Sequence, residues 1–304
     1  MTKELLDIKD IGSEFDKLNS RFKILNNRFM AVAMDYKYYM DSSWDNHDIF
    51  TLRDDTMHRL FSSKLHIEIL LRQLNLIHRR IEEDMKNNPT LAKGKLTGNN
   101  QLHDYSSKEV SAIFDSIIFH SVASFDYISN LCSFICCKNR DTKHKWSSLA
   151  NSVRDSKNEL SKTKIAPTVD EIDKEFVDKL YNHRSDIIHT KVDMSKYLVS
   201  VEYTPGQYYV SQTFLIGDRL IKKFYQLREL DKTKLITVPY TAFWMMNFSI
   251  DKITDILFSL KTHMESNPKV KIPSSGMLND KNQIVSPSVE YWNELEYNSN
   301  RKNS

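Results

Sequence analysis

Long helices are indicated by the spacing of apolar residues near the start of the chain. In the segment FDKLNSRFKILNNRFMAVAMDYKYYM, apolar side chains recur at steps of three and four, which places them on one face of a helix. The members of this stripe are Phe15, Leu18, Phe22, Leu25, Phe29 and Val32. With only 6 Gly and 7 Pro in 304 residues, few positions can interrupt such helices. We therefore expect a mainly α protein.

A second long helix is predicted from about Thr51 to Asn87, where Pro89 stops the pattern. Its predicted inward stripe consists of Leu60, Leu65, Ile69, Leu70, Leu74, Ile77 and Ile81. Residues 1–100 are therefore expected to form an N-terminal helical region. The polar, glycine-containing segment TLAKGKLTGNNQLHDYSS is the predicted linker that follows it.

Four more helices and one hairpin are predicted further along the chain. The helices fall at about 107–137, 142–159, 217–230 and 239–264, and Ser106 with Glu109 offers a capping box to the first of them. The runs KYLVSVEY and QYYVSQTFLI are β-branched and aromatic, which predicts a β-hairpin at about 196–216. Residues 265–304 have the composition of a polar C-terminal tail, from which Tyr291 and Trp292 are expected to dock back.

The charge balance confines any anion binding to local patches, because the formal net charge is only +3. One such patch lies between residues 138 and 164, where basic residues outnumber acidic ones. The residues predicted to contact RNA in this patch are Lys138, Arg140, Lys143, Lys145, Trp146 and Arg154. The cations would follow a phosphate backbone and Trp146 would stack on a base. The alternative for this segment is a solvated basic face.

Cysteine usage and hydropathy favour a cytoplasmic protein with no membrane partner. The three cysteines lie within one apolar stretch, so we expect reduced, buried thiols. The most apolar stretch, residues 116–137, carries His120 and Asp126 and is therefore predicted to be a core helix. The first residues, MTKELLDIKDIG, lack the apolar region of a secretion signal.

The segment APTVDEIDKEFVDKLYNHRSDIIH is predicted to form one amphipathic helix, here called the motif helix. Thr168 and Glu171 offer a capping box at its start, and an inward face is formed by Ile172, Phe176 and Leu180. Arg184 and His189 lie near its end, with two isoleucines directly before the histidine. Imidazole changes charge near neutral pH, and guanidinium binds two phosphate oxygens at once. This pair can therefore serve phosphodiester chemistry.

The arrangement Arg184-Ser-Asp-Ile-Ile-His189 resembles the signature of the HEPN superfamily of helical ribonucleases and nucleic-acid-binding domains. The resemblance implies a four-helix bundle over residues 105–264, with the β-hairpin inserted into it. It also implies RNA cleavage without a metal or other cofactor, His189 acting as acid and base while Arg184 stabilises the phosphate. His183, Ser185 and Asp186 are the expected supporting residues. Ser185 stands where catalytic members commonly carry Asn, Asp or His.

Helix geometry adds a constraint on the partners of this site. Five positions along a regular helix turn the side chain by about 140°, so Arg184 and His189 of one chain point apart unless the helix ends between them. The resemblance implies that a homodimer solves this problem, because two motif helices meet and their Arg and His residues face one another. We therefore expect a homodimer through the motif helix.

Three other Arg-His pairs have similar spacing and are weaker candidates. They are Arg53 with His58, Arg59 with His66, and Arg72 with His78. The last two pairs fall inside the second helix, where nothing ends to present them to a cleft. The first pair lies near a helix start but lacks the two apolar residues before its histidine.

Two other functions remain open from the sequence. One is a non-catalytic HEPN-like module that binds RNA, a nucleotide or a protein partner. The other is a metal enzyme in a helical bundle, since Asp55 with His58 and Asp186 with His189 have a spacing that can chelate one metal ion. The resemblance further suggests a toxin or phage-defence effector, with a cognate inhibitor as a possible partner.

Overall fold

The computed structural model describes residues 3–41, 48–87, 101–137, 145–189, 193, 195–204, 207–268, 277–278, 281–289 and 291–292. Helices make up most of these residues, and the expectation of a mainly α protein is confirmed. The helices are α1 (Ile11–Tyr39), α2 (Asp48–Asn87), α3 (Gln101–Cys136), α4 (Trp146–Arg154), α5 (Ala166–Ile172), α6 (Asp178–His189), α7 (Asp218–Lys223), α8 (Tyr225–Asp231) and α9 (Val238–Ser266). The strands are β1 (Glu4–Leu6), β2 (Lys196–Thr204), β3 (Gln207–Leu215), β4 (Lys234–Ile236), β5 (Met277–Leu278) and β6 (Ile284–Val285).

The chain divides into two compact units, each built from segments that are distant in sequence. The first unit contains Met1–Ile11, Phe61–His120 and Lys179–Met246, and the second contains Gly12–Leu60, Ser121–Asp178 and Asn247–Ser304. The predicted division into residues 1–100, 105–264 and 265–304 stays a prediction.

In the first unit, α2 and α3 run in opposite directions against each other. The Ser63 hydroxyl donates a hydrogen bond to the carbonyl oxygen of Ile117, and the Gln73 amide donates to the Glu109 carboxylate at 2.7 Å. Strands β1 and β4 form a short parallel pair in which Leu5 lies opposite Leu235. The long helices of this unit are therefore held by side-chain contacts, and the β1–β4 pair joins two segments that are distant in sequence.

The predicted β-hairpin is present in the first unit. Strands β2 and β3 pair in antiparallel register, from Lys196 opposite Leu215 to Thr204 opposite Gln207. Pro205 and Gly206, where the turn is predicted, lie outside the described residues. The β-branched and aromatic residues therefore form strands as expected.

The prediction of one helix at 217–230 is wrong, because this segment forms two helices, α7 and α8. Phe224, between α7 and α8, has an extended backbone with φ −107° and ψ 123°. Its ring is buried and packs edge-on against Trp244, with the ring centroids 5.4 Å apart. The helix is interrupted at the residue whose ring packs in the core. The periodicity of the sequence does not reveal this interruption.

In the second unit, α1 and α9 run side by side in the same direction. Arg21 donates a hydrogen bond to Asn247, and Arg28 donates to Thr254 at 2.8 Å. Further along, the buried carboxylate of Asp35 accepts hydrogen bonds from the Ser288 hydroxyl and the Trp292 indole. The predicted docking of Trp292 is thus confirmed, and the polar tail is anchored there.

The motif helix runs from Ala166 to His189 as α5, a π-helical turn at Asp173–Val177, and α6. The predicted inward residues Ile172, Phe176 and Leu180 are all buried. Thr168 does not cap this helix, because α5 already begins at Ala166, and its hydroxyl instead forms a hydrogen bond with Ser259. Pro167 fits this earlier start, since its backbone angle suits the first helical turn.

Two predictions about α2 and α3 are also wrong. Leu65 and Ile69 were assigned to the inward stripe of α2, yet both are more than a third exposed, and Ile67 is buried instead. Ser106 lies inside α3, which begins at Gln101, so it is not a helix cap. Serine costs only a few tenths of a kcal/mol inside a helix, about 0.5 relative to Ala, and burial of the neighbouring turns outweighs this cost.

Candidate functional site

The end of the motif helix brings together a buried histidine, a half-buried arginine and two exposed residues. His183 is 1% exposed, and Arg184, the next residue, is half-buried. Ser185 and His189 are exposed on the same helix, and Asp186 lies between these extremes. All five of these predicted site residues therefore lie on α6, with different access to solvent.

The guanidinium of Arg184 lies over an aromatic ring and has no carboxylate partner in the described part of the chain. Its Cζ atom is 5.7 Å from the centre of the Phe119 ring, which α3 supplies. Its Nε atom is buried without a hydrogen bond acceptor. By contrast, Arg154 binds two carboxylates, those of Asp170 and Asp173, each at 2.6 Å. An arginine without such a partner leaves its planar fork available to an anion.

His183 is held in its neutral form by its surroundings. Burial is the largest cause that lowers the pKa of His183 to about 4, and the nearby charges of Lys223 and Arg219 lower it further. Asp186 acts in the opposite direction but does not outweigh them. The Nδ1 atom of His183 is buried without a hydrogen bond partner. The His183 imidazole is therefore a neutral, buried group that does not face solvent.

Asp186 connects the motif helix to α7. Its carboxylate is 2.7 Å from the Nζ atom of Lys223, and this hydrogen bond lowers the pKa of Asp186. Asp186 also interacts electrostatically with His183 and raises its pKa, against the larger lowering effect of burial. Arg219 and Lys223 add positive charge beside the helix that carries Arg184. Sequence reasoning did not include these two cations in the site.

His189 is the last residue of α6, so the helix is continuous from Arg184 to His189. The two side chains are therefore separated by about 140° around the helix axis and about 7.5 Å along it. Of the two geometries that sequence analysis left open, a helix ending between the pair does not occur. One chain by itself thus presents Arg184 and His189 on different faces.

A pair of aspartates near α7 was also missed by sequence reasoning. Burial raises the pKa of Asp115 to about 6, and the negative charge of Asp193 adds to this effect. The Asp193 carboxylate accepts hydrogen bonds from the backbone N–H groups of Leu220 and Arg219. A Cβ atom on Gly217 would collide with this carboxylate, so only glycine permits the approach. In the sequence, Gly217, one of 6 glycines, is the feature that could have indicated this close approach of Asp193.

The basic patch predicted to bind RNA is only partly described, and two of its members have structural roles. Lys138, Arg140 and Lys143 lie outside the described residues, while Lys145 is exposed. Trp146 is 1% exposed, and its indole N–H donates to Asp173 at 2.8 Å. This corrects the prediction that Trp146 stacks on a base, because an enclosed ring offers no free face. Arg154 is bound to Asp170 and Asp173 as described above.

Each of the weaker Arg-His pairs contains a residue that contacts another side chain of the protein. Arg53 is paired with Asp54 at 2.7 Å, and Arg59 lies over the ring of Tyr127. His78 is 3.3 Å from Glu82, one turn along the same helix. Of these contacts, only the one between His78 and Glu82 is an i,i+4 pair on one helix, and Tyr127 belongs to α3.

The fold and the site define a mainly helical protein whose motif helix presents Arg184 over the ring of Phe119. The chain matches no protein-family model, no curated protein and no solved structure. Within the described residues, none of the helices combines the length and apolar character needed to cross a lipid bilayer. Across those same residues, no group of three or more His, Cys, Asp or Glu side chains is placed to hold a metal ion.

Proposed function

We propose that the protein is a metal-independent endoribonuclease of the HEPN type, with its site at the end of the motif helix. The observation that carries this proposal is the guanidinium of Arg184, which lies over Phe119 without a carboxylate partner among the described residues. Arginine is permanently charged, and partly buried arginines are usually neutralised, as Arg154 is in this chain. An anionic ligand such as a phosphodiester is the natural partner for an arginine left in this state.

The chemistry assigns one role to each residue of the pair. Attack of the RNA 2′-oxygen on phosphorus requires a base to remove the 2′-hydroxyl proton, and the departing 5′-oxygen requires an acid. From its exposed position at the helix end, His189 acts as the base and as the acid in these two proton transfers. Arg184 binds the phosphate oxygens and stabilises the negative charge that gathers on them in the transition state. No metal or other cofactor takes part.

A homodimer through the motif helix completes the site in this proposal. The divergence of about 140° between Arg184 and His189 means that one phosphate cannot contact both residues of a single helix. When two α6 helices meet about a twofold axis, Arg184 of one copy approaches His189 of the other. His183, Ser185 and Asp186 support this arrangement. A separate contact with RNA is proposed for Lys138, Arg140, Lys143 and Lys145.

The alternative is a non-catalytic module that binds RNA, a nucleotide or a protein partner. The divergence of the pair in one chain favours it if the protein is a monomer. Ser185, in place of the Asn, Asp or His of catalytic members, favours it as well. In this case Arg184 binds an anion and His189 has no chemical role.

The deciding experiment is cleavage of single-stranded RNA in the presence of EDTA. The wild type should cleave, and Arg184→Ala and His189→Ala should each lower the rate by about 10²–10³-fold, the usual size of such contributions. Arg228→Ala is a matched control, because Arg228 also lies over a ring, that of Tyr225. His58→Ala is a second control, since His58 is an exposed histidine on another helix.

The outcomes separate the two functions. RNA binding that depends on Arg184, with no cleavage of any RNA tested, would support the non-catalytic module. Equal loss of activity in the Arg228→Ala control would show a general effect on stability and would count against the assigned site.

A toxin or phage-defence role is proposed on the same basis and has its own test. Expression of the wild type should slow bacterial growth, and His189→Ala should relieve the effect at equal protein level. Equal growth of both strains would contradict a toxin, while leaving the cleavage assay as the test of the chemistry.

A further inference from the structure

Two histidines from different helices lie ring to ring in the first unit. His66 belongs to α2 and His120 to α3, and their ring centroids are 4.9 Å apart with the planes tilted by 36°. Each histidine stands three residues after one end of the hydrogen bond between Ser63 and Ile117. Both side chains are half-buried, so solvent reaches them. Two side chains that can bind a metal ion are therefore placed together, away from the pair on α6.

A backbone hydrogen bond fixes the His66 ring. Its Nδ1 atom is 2.7 Å from the carbonyl oxygen of Ser62. A carbonyl oxygen only accepts hydrogen bonds, so Nδ1 carries the hydrogen, and Nε2 of the neutral ring has a lone pair. Histidines that bind metals commonly donate their other N–H group to a backbone carbonyl in this way, which holds the ring in one orientation. His66 therefore has the tautomer and the support of a metal ligand.

The separation of the two rings fits a shared metal ion. Zinc lies about 2.0–2.1 Å from a ligating histidine nitrogen, and its ligands are arranged tetrahedrally. The centres of two imidazole rings on one zinc ion are then about 5 Å apart. The observed distance between His66 and His120 is 4.9 Å. Their tilt is no obstacle, because each ring can rotate about its bond to the metal.

The surroundings decide how many ligands the protein supplies. Lys64, two positions before His66, is turned by about 200° around α2 and lies 4.0 Å from Glu68, so its charge is directed elsewhere. In the part of the chain that the structure describes, no third His, Cys, Asp or Glu side chain joins the pair in a metal-binding group. Two imidazoles therefore occupy two of the four positions of a tetrahedral ion, and water fills the others.

We propose that His66 and His120 bind one zinc ion between α2 and α3. Imidazole nitrogen suits zinc, whereas magnesium and calcium prefer oxygen ligands. Because the two ligands come from different helices, the ion binds the folded state and ties α2 to α3. His120 directly follows Phe119, whose ring lies beneath Arg184, so the ion also fixes this part of α3. The site is independent of the proposed function and takes no part in RNA cleavage.

The first test adds Zn²⁺ to the full-length protein, freed of metal beforehand, and measures binding by titration calorimetry. Zinc at about ten times its Kd should raise the midpoint of thermal unfolding by about 2–4 °C, and Mg²⁺ at the same concentration should not. His66→Phe and His120→Phe keep an aromatic ring but lose the ligating nitrogen. Each variant should bind one zinc ion fewer than the wild type and lose the shift.

Two matched variants control for zinc bound by other histidines. His78→Phe makes the same change elsewhere on α2, at a histidine that is 3.3 Å from Glu82, and should keep the zinc response. His189→Phe should keep it as well, which separates this site from the pair on α6. A zinc response that persists in His66→Phe and His120→Phe would show that the two rings only pack together, and would overturn the proposal.

The second test needs no substitution. Diethyl pyrocarbonate modifies accessible imidazole nitrogens, and mass spectrometry of peptides locates the modified histidines. In the wild type, zinc should slow the modification of His66 and His120 several-fold and leave that of the exposed His189 unchanged. Equal modification of His66 and His120 with and without zinc would contradict the site, and so would a wild type that binds no zinc.

Discussion

Arg184 lies over Phe119, with 5.7 Å between the guanidinium carbon and the centre of the ring. The two residues come from α6 and α3, which are separated by more than sixty positions in the sequence. A cation held over a ring keeps its charge while its orientation is restricted. The contact therefore presents the guanidinium to an anion without neutralising it.

Removal of the Phe119 ring should weaken the action of Arg184 on RNA. A cation–π contact contributes about 0.5–2 kcal/mol, so Phe119→Leu should lower RNA affinity or cleavage rate by about 2–30-fold. Phe119→Tyr keeps the ring and should restore most of the activity. Only Arg184→Ala should reduce the salt dependence of RNA binding, because it alone removes a charge. Fluorescence anisotropy over a salt series measures both effects.

Tyr225→Leu is the matched control for this prediction, because it removes the ring beneath Arg228. It should leave RNA binding unchanged. If Phe119→Leu and Tyr225→Leu behave alike, Phe119 has no particular role in positioning Arg184.

Trp292 should contribute strongly to the stability of the second unit. Its ring is 7% exposed and stacks against Phe258, and its indole donates to Asp35 at 3.0 Å. Trp292→Ala should lower the free energy of unfolding by about 3–5 kcal/mol, as large buried aromatic residues do. Trp292→Phe keeps most of the packing and should cost about 1–3 kcal/mol, because Asp35 loses a donor. Urea unfolding measures both losses.

The neighbouring residue supplies the control for Trp292. Tyr291 is only partly buried, so Tyr291→Ala should cost clearly less than Trp292→Ala. Similar losses for the two substitutions would mean that the contact with Asp35 and Phe258 is not what anchors this segment.

Arg154 should act on stability and not on RNA. Its guanidinium binds Asp170 and Asp173, and the carboxylate of Asp173 is 9% exposed. Arg154→Ala should therefore lower the free energy of unfolding by about 1–3 kcal/mol, since a largely buried carboxylate loses its charged partner. RNA affinity and its salt dependence should be unchanged. Lys145→Ala, at an exposed position, should have the opposite profile if the basic patch contacts RNA.

Asp115 should make the protein more stable at mildly acidic pH than at neutral pH. Burial raises the pKa of Asp115 to about 6, whereas aspartate in an unfolded chain titrates near 3.9. The folded state therefore holds this proton more tightly. The resulting stabilisation is complete below about pH 4 and is lost as the pH rises through about 6.

Asp115→Asn removes this titration. The variant should be more stable than the wild type at pH 7 by about 1–2 kcal/mol, a value reduced for the partial exposure of the side chain. It should also show a flatter dependence of stability on pH between about 4 and 6. Asp104→Asn, at an exposed position on the same helix, is the control and should leave the dependence unchanged. Thermal unfolding across this pH range measures the difference.

Local patterns were sufficient for most of the helices and for the hairpin. The helix predicted at 239–264 is present as α9, and the strands of the hairpin lie within residues 196–215. These features follow from the repeat of apolar residues and from backbone preferences, which act over a few neighbouring positions. The position of Arg184 and His189 on a single helix could be predicted from the sequence for the same reason.

The local capping signals at Ser106 and Thr168 failed, and so did several predictions that depend on distant partners. Leu65 and Ile69 are apolar residues at helical spacing, and only the packing of the other face of α2 shows that they point outward. Trp146 was assigned to RNA, but Asp173, 27 positions away, accepts its indole hydrogen bond within the core. A sequence does not state which aromatic residue finds such a partner.

The sequence by itself determined a mainly α chain with a hairpin and a motif helix that ends in Arg184 and His189, because periodicity and turn chemistry are local properties. Only the tertiary structure decided the state of each charge. Arg154 meets two aspartates while Arg184 meets a ring, and His183 is enclosed beside two cations. Burial and electrostatic interactions join residues that the chain separates, so their outcome depends on the folded arrangement.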